Sequence, residues 1–294
     1  MKTLLALAAM FSLVVSQTVW AQAGVKIKAE PLTEAIYMIT GKGGNMGLLT
    51  GEDGSFLIDD QFAPLTEQIL EVVKSVGGDV PRFLINTHFH ADHTGGNENL
   101  GNAGTLLMSH HGVRERLAAG SYIEAFGMKS APASETALPS ITYSENMHVH
   151  INGETIQVIH TPNAHTDGDS FIVFSDANII HTGDIFFNGF FPFIDGANGG
   201  SVKGMVAACD AILAVSDEKT RIIPGHGPLA GKAELQDYRD MLATVHERLS
   251  AFKNQGLDAD AVVAKGPLRD LERKWGGGIF KADKWIRVIY PAAF

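Results

Sequence analysis

Cysteine is nearly absent from this 294-residue chain: Cys209 is the only one, which excludes an intramolecular disulfide and any thiolate-rich metal centre. Its neighbours Val206, Ala207, Ala208, Ala211 and Ile212 read as a buried helix face, where a free thiol is inert packing. Basic runs are absent too. Lys and Arg number 23 against 33 Asp and Glu, a net charge of −10, so no stretch can track a phosphate backbone and nucleic acid is not expected as a partner. After the first residues no apolar run is long enough to span a membrane. What is present, 45% hydrophobic and 19% charged residues, fits a globular protein with a sizeable core.

The N-terminus stands apart. Lys2 supplies a positive start, Leu4 to Val15 is almost unbroken apolar sequence, and Ala21-Gln22-Ala23 has the small-x-small pattern that signal peptidase accepts. The apolar run, about a dozen residues, falls short of the roughly 20 that a spanning helix needs. Residues 1–23 are therefore expected to be an export signal, leaving 24–294 as a periplasmic or secreted protein free of the membrane. Loss of Lys2 takes the charge from −10 to about −11.

From Val25 onward the sequence is short and β-like. Ile36 to Ile39, Gly47 to Leu49 and Phe56 to Asp59 are brief apolar runs divided by Gly-rich turns, which predicts antiparallel strands. Leu65, Ile69, Val72, Val73 and Val76 recur at helical spacing; Phe83 to Ile85 and Thr105 to Met108 read as strands, and Val113 to Leu117 as helix. The second half echoes this order. Val149 to Ile151, Thr155 to Ile159, Phe171 to Phe174, Ile179-Ile180 and Ile222-Ile223 are expected strands, with helices over Val202 to Leu213 and Leu235 to Phe252. Two β-rich halves with helices outside predict an α/β protein, two sheets face to face with a helical layer on each flank. Tyr122 to Ser140 is expected to be an irregular excursion, and the extension from about Asp258 to fold back on the core.

His88-Phe89-His90-Ala91-Asp92-His93 carries the chemistry. It directly follows a hydrophobic strand, where a tight loop can aim several side chains into one crevice. Three imidazoles and a carboxylate buried there unpaired would cost several kcal/mol, a conflict that a divalent cation resolves. Histidine with aspartate and no thiolate favours zinc or another borderline metal such as iron, manganese or cobalt. His165, Asp184 and His226 follow later, each in a Gly- or Pro-rich turn. Taken singly each has a plain alternative, Asp184 as a helix cap for instance.

Taken together, His88, His90, Asp92, His93, His165, Asp184 and His226 resemble the full metal-binding series of the metallo-β-lactamase superfamily, over roughly Ile36 to Leu242. The resemblance implies an αβ/βα four-layer sandwich with a two-metal site at one edge. It further implies that His88, His90 and His165 hold one metal, that Asp92, His93 and His226 hold the other, and that Asp184 bridges them. Two Zn²⁺ are the expected cofactors, with iron or manganese as alternatives. The chain departs from the family pattern in the longer Pro162-Asn163-Ala164-His165 turn, in Asp184 where one group of β-lactamases uses cysteine, and in Phe187 where those enzymes place a lysine that grips the drug carboxylate.

The implied activity is hydrolysis of a small-molecule substrate. A zinc ion lowers the pKa of bound water from about 15.7 to roughly 7, so a hydroxide shared by two ions would attack the carbonyl of a lactam, lactone, ester or thioester, with Asp92 orienting it. β-Lactamase activity of the class-B kind is one form this could take. The alternatives are an iron-dependent dioxygenase of sulfur compounds and a non-catalytic metal-binding accessory protein. Phe186, Phe187, Phe190, Phe191 and Phe193 are expected near the metals as a substrate wall, a packing plug or a contact between subunits. Gly43 to Gly47 reads as a loop over the site or a plain turn, Lys203 and Arg221 as anion contacts or simply solvated charges, and His160 and His181 as surface residues or supports behind the ligands.

Overall fold

Alternation along the strands decides the architecture, because neighbouring residues face opposite sides of a sheet. The computed structural model describes residues 24–294; the expected export signal over 1–23 lies outside the described residues. The strands are β1 (Lys28–Pro31), β2 (Ile36–Thr40), β3 (Met46–Leu49), β4 (Phe56–Ile58), β5 (Phe83–Asn86), β6 (Leu106–His110), β7 (Ser121–Ile123), β8 (Met128–Ser130), β9 (Ile141–Tyr143), β10 (Asn146–Ile151), β11 (Glu154–His160), β12 (Ser170–Phe174), β13 (Ile179–His181) and β14 (Arg221–Ile223). One sheet runs β1-β2-β3-β4-β5-β6-β9 and the second β10-β11-β12-β13-β14. The helices are α1 (Thr66–Ser75), α2 (Ala91–Thr94), α3 (Asn97–Asn102), α4 (His111–Ala119), α5 (Val202–Ala214), α6 (Lys232–Lys253), α7 (Ala259–Lys265), α8 (Arg269–Trp275) and α9 (Ala282–Ala292).

On β4, Phe56 and Ile58 point into the layer between the sheets, where they meet Ile156, Val158, Ile172 and Phe174. Leu57 points outward against Ile69 and Val73 of α1. The second sheet repeats the division: Ile179 faces the first sheet, while Ile180 packs under α5 and α6 beside Cys209 and Leu242. The result is the expected four-layer order of helices, sheet, sheet and helices.

Two regions differ from the sequence reading. The stretch expected to be irregular contains the β7–β8 hairpin, and Ile141–Tyr143 adds a parallel strand beside β6. Strands of three residues are too short to display a period, and the left-handed φ of 61° at Gly127 closes the hairpin. The C-terminal helices fold onto the outer face of the second sheet through Val262, Trp275 and Trp285.

Candidate metal centre

The sheets place all of the chemistry at one edge. β5 ends at Asn86, and the next residues turn at once into the short α2, so His88 and His90 leave the strand end while Asp92 and His93 ride the helix. His165 sits in the loop between β11 and β12, Asp184 in a 3-10 turn after β13, and His226 beyond β14. Gly183 has a left-handed φ of 51°, and a Cβ there would lie 2.7 Å from the Thr87 side chain. A side chain at that position would drive apart the turns that carry Asp184 and His88.

All seven residues converge as two groups, His88, His90, His165 and Asp184 in one and Asp92, His93 and His226 in the other, with the candidate ligand atoms of each group within 4.8 Å of one another. Asp184 stands between them. Its Oδ1 is 3.1 Å from His93 Nε2 and 3.4 Å from His226 Nε2, and its Oδ2 is 3.5 Å from His165 Nε2 and 3.8 Å from His88 Nε2. Asp92 Oδ2 lies 3.2 Å from His226 Nε2.

The far nitrogens of the four innermost rings are all engaged. His93 Nδ1 donates to Asp59 Oδ2 at 2.7 Å; His88 Nδ1 lies 3.1 Å from the Thr87 hydroxyl, which itself donates to Asp59 Oδ2. His90 Nε2 is held 3.0 Å from Asp195 Oδ2, and His165 Nδ1 donates to the Phe193 carbonyl at 2.9 Å. A bond on one ring nitrogen fixes the tautomer and leaves the other a bare lone pair. The consequence is visible at the centre, where His88 Nε2, His93 Nε2 and Asp184 Oδ1 are buried without a hydrogen-bond partner. Each such orphan costs about 1–3 kcal/mol unless something compensates it. Imidazole lone pairs and carboxylate oxygens around a shared gap are the donor set of a borderline divalent cation, so the residues fit a metal centre.

The electrostatics divide the rings: at His93 burial opposes the charged form, but Asp184, Asp92 and Asp59 outweigh it and raise the ring well above its ordinary value, so a cation there would displace a proton. Burial depresses His88, with the neighbouring His93 adding to it, and burial carries His165 down to about 4 against the pull of Asp184. Both rings are therefore neutral ligands at physiological pH. Burial works against charging His226 too, but Asp184 and Asp92 lift it to about 9. At Asp92 burial is outweighed by His93 and His226, and the carboxyl falls to about 2.

Several supporting residues carried no signal in the sequence. Asp59 closes β4 with a left-handed φ of 59°, and no spacing rule ties it to His93, 34 residues away. Asp195 lies in the loop before α5 and has no motif around it. Asn45 braces the His226 loop by donating to the carbonyls of Pro224 and Gly227. His181 supports Asn45 by donating to its carbonyl, whereas His160 bonds the Asp169 carbonyl and stacks on His110. The Gly-rich loop packs down instead of hanging free: Gly44 N donates to the Asp92 carbonyl, a Cβ on Gly44 would meet the His93 ring, and Gln61 pins the Gly44 carbonyl. Arg221 is spent on the Leu32 carbonyl, and neither it nor Lys203 lines the cavity beside the seven residues.

Asp169 ties down the loop that carries His165, accepting hydrogen bonds from the Thr166 N–H and hydroxyl. Burial pushes its carboxyl up to about 7 even though those bonds oppose the shift. A raised carboxyl pKa means that the folded state holds the proton longer than the unfolded chain, so this group weakens the fold as pH rises from about 4 to 7. Thermal melts of Asp169→Asn and the parent at pH 4.5 and 7.5 should show the variant gaining relative stability at the higher pH. A difference that stays flat or runs the other way would contradict this assignment.

A cavity of about 530 Å³ opens onto His90, Asp92, Asp184 and His226. The family profile of the metallo-beta-lactamase superfamily matches residues 39–226, a span that contains all seven residues. No curated protein sequence matches the chain. Solved structures similar to it include a metallo-beta-lactamase from Pontibacter korlensis, at 16% identity and a TM-score of 0.60 over 74% of this chain and 99% of that one. The DIM-1 metallo-beta-lactamase gives 16% and 0.61 over 75% and 99%. A Cronobacter sakazakii metallo-beta-lactamase with a HARLDQ motif gives 19% and 0.64 over 81% and 99%. With the profile covering most of the chain and the sandwich fold shared along the full length of these structures, the chain belongs to the metallo-beta-lactamase superfamily.

Proposed function

We propose that this enzyme is a dinuclear metal-dependent hydrolase, with zinc as the metal, acting on the carbonyl of a lactam, lactone, ester or thioester. The observation that carries the reading is the set of four histidines, His88, His90, His93 and His165, whose outer nitrogens are all engaged, while His88 Nε2, His93 Nε2 and Asp184 Oδ1 are buried without a hydrogen-bond partner. His88, His90 and His165 would hold one cation, Asp92, His93 and His226 the other, and Asp184 would contact both. Two such cations supply an activated water at neutral pH and polarise the substrate carbonyl. Asp92, the most exposed carboxylate of the set, lines the cavity and is placed to orient the attacking water as a hydrogen-bond acceptor. Apart from the seven, the cavity offers only Lys42 and Ser130 as polar side chains, so substrate orientation falls mainly to its apolar walls. The composition of residues 1–23 supports export, and we place the enzyme in the periplasm or outside the cell.

The test is to count metals in the purified protein and assay a panel of lactams, lactones, esters and thioesters before and after chelation. Two zinc ions per chain, with activity that chelation removes and zinc restores, is the expected result. One iron per chain with oxygen uptake would replace the reading by a dioxygenase, and a metal-loaded protein inert on the whole panel by an accessory role.

Asp59 gives a sharper check, since its carboxylate orients His93 directly and His88 through Thr87. An amide cannot accept both of those hydrogen bonds from one oxygen position without presenting a donor to the other partners. Asp59→Asn should lower metal affinity about 10–100-fold, read by competition with a chromogenic chelator.

A further inference from the structure

The cavity is more apolar than a small polar substrate needs. Its walls near the metal-site residues are Phe187, Phe190 and Phe193, and its outer part is formed by Phe126 and Met128 of the β7–β8 hairpin together with Ile279. Aromatic contacts run inward from the rim: Phe126 to Phe193 at 4.8 Å between centroids and Phe193 to His165 at 5.7 Å, with the buried Phe280 backing Phe126 at 6.2 Å. On another side Phe187 stacks on His226 at 5.1 Å. These walls are built in advance. Phe191 N donates to the Trp275 carbonyl, Trp285 Nε1 donates to the Pro192 carbonyl, and Gly278 lies so close to the Phe190 ring that a Cβ would come within 2.8 Å of it.

The mouth is apolar as well. Phe126, Met128 and Ile279 are 41%, 52% and 61% exposed, and large side chains left in water at the rim of one cleft mark a surface that binds something. Among the described residues, Lys42 is the only lysine or arginine lining the cavity. The position two residues after Ile185 is held by Phe187, whose ring packs on His226 and can grip no carboxylate.

We propose that the substrate carries a neutral, extended acyl chain, which lies along this channel with its carbonyl at Asp92, Asp184 and His226. The leaving group is an alcohol or thiol, as in a fatty acyl ester, thioester or alkyl-substituted lactone. The proposal rests on the hydrolase reading. In the reaction the oxygen of water bonds to the acyl carbon, the acyl C–O or C–S bond breaks, and the departing oxygen or sulfur takes a proton, which releases the fatty acid and an alcohol or thiol, or opens a lactone to its hydroxy acid. Carboxylate-bearing substrates, anionic β-lactams included, are disfavoured because the aromatic and aliphatic walls would desolvate their charge, with Lys42 the only lysine or arginine among the described lining residues to offset it.

The experiment compares kcat/KM of the zinc-loaded protein on thioesters of acetyl, butyryl, hexanoyl and octanoyl groups, and on an acyl chain of matched length that ends in a carboxylate. Burial of each methylene should raise the value about threefold to fourfold, and the terminal carboxylate should lower it at least about tenfold. Phe126→Ser and Ile279→Ser should each reduce the octanoyl-to-acetyl ratio about fivefold or more, while Val215→Ser, an exposed apolar residue outside the cavity, should leave it unchanged. In parallel, calorimetry measures binding of the corresponding simple amides, which resist hydrolysis. Amide affinity that climbs with chain length in a protein that hydrolyses nothing would uphold the channel and sink the hydrolase reading. Hydrolysis with rates and affinities indifferent to chain length, or favouring the carboxylate, would overturn the channel. A dimer in solution that shields Phe126 and Ile279 together with flat chain-length profiles would do the same.

Discussion

Asp184→Ala is expected to abolish hydrolysis and to strip the protein of most of its metal. Asp184 approaches both groups through its two carboxylate oxygens, with Oδ1 near His93 and His226 and Oδ2 near His165 and His88. Its removal leaves each set one donor short and brings several imidazoles together without a negative charge to balance a cation. Loss of a residue that merely supports a ligand costs about 10–100-fold in affinity or activity, so loss of a shared ligand should exceed about 100-fold in both. Metal content by mass spectrometry and kcat/KM on the best substrate are the measurements. A variant that keeps the parental metal count and rate would show that the seven residues do not form the working centre. Burial holds the parent carboxyl up, but His226 and His93 outweigh it and keep Asp184 ionised far below its ordinary value, so the negative charge is present throughout the physiological range.

Gly225→Ala should be the most damaging change at a residue that supplies no ligand. A Cβ at Gly225 would stand 2.1 Å from Asp184 Oδ1 and 2.6 Å from both the carbonyl carbon and oxygen of Gly183. Two of those atoms are backbone, and the backbone is held in place: Gly225 N donates to the Gly183 and Phe186 carbonyls, while the Gly225 carbonyl accepts from Asn45 N. The methyl can be admitted only if the Asp184 turn and the His226 loop separate. A core overpacked in this way loses about 1–3 kcal/mol, occasionally more, and the same movement pulls Asp184 away from His226. The expected outcome is a lower melting temperature together with reduced metal affinity. Parental values for both would mean that the two loops slide apart more freely than their hydrogen bonds suggest. Asn45→Ala, which removes the brace on Pro224 and Gly227 without adding volume, should show the smaller of the two effects.

Legibility followed the length over which each signal is spread. The core helices and the buried strands announce themselves by period: Leu65 to Val76 and Leu235 to Phe252 repeat at helical spacing and became α1 and most of α6. The β7–β8 hairpin did not, since three residues per strand display no period and, Ile123 and the half-buried Ser121 apart, its residues are exposed. The cluster around His88 was conspicuous because that residue content has no place in an apolar core. Asp59 and Asp195 escaped notice for the opposite reason, a lone Asp being ordinary at a strand end or in a loop. Their importance lies in a distance to an imidazole that no local rule encodes.

The residue types and their order were enough to show the layered α/β architecture and the cluster from His88 to His93, because hydrophobic alternation and an unusual density of imidazole are properties of the chain read in one dimension; the family and the full set of seven candidate ligands followed from the resemblance of the series as a whole. Tertiary structure alone decided which nitrogen of His90, His93 and His165 faces inward, since that depends on partners 28 to 105 residues away. It alone also turned the aromatic run after Asp184 into a channel wall. The contacts that hold that wall, from Trp275, Gly278 and Trp285, come from a C-terminal segment that meets it only when the chain folds back across the second sheet.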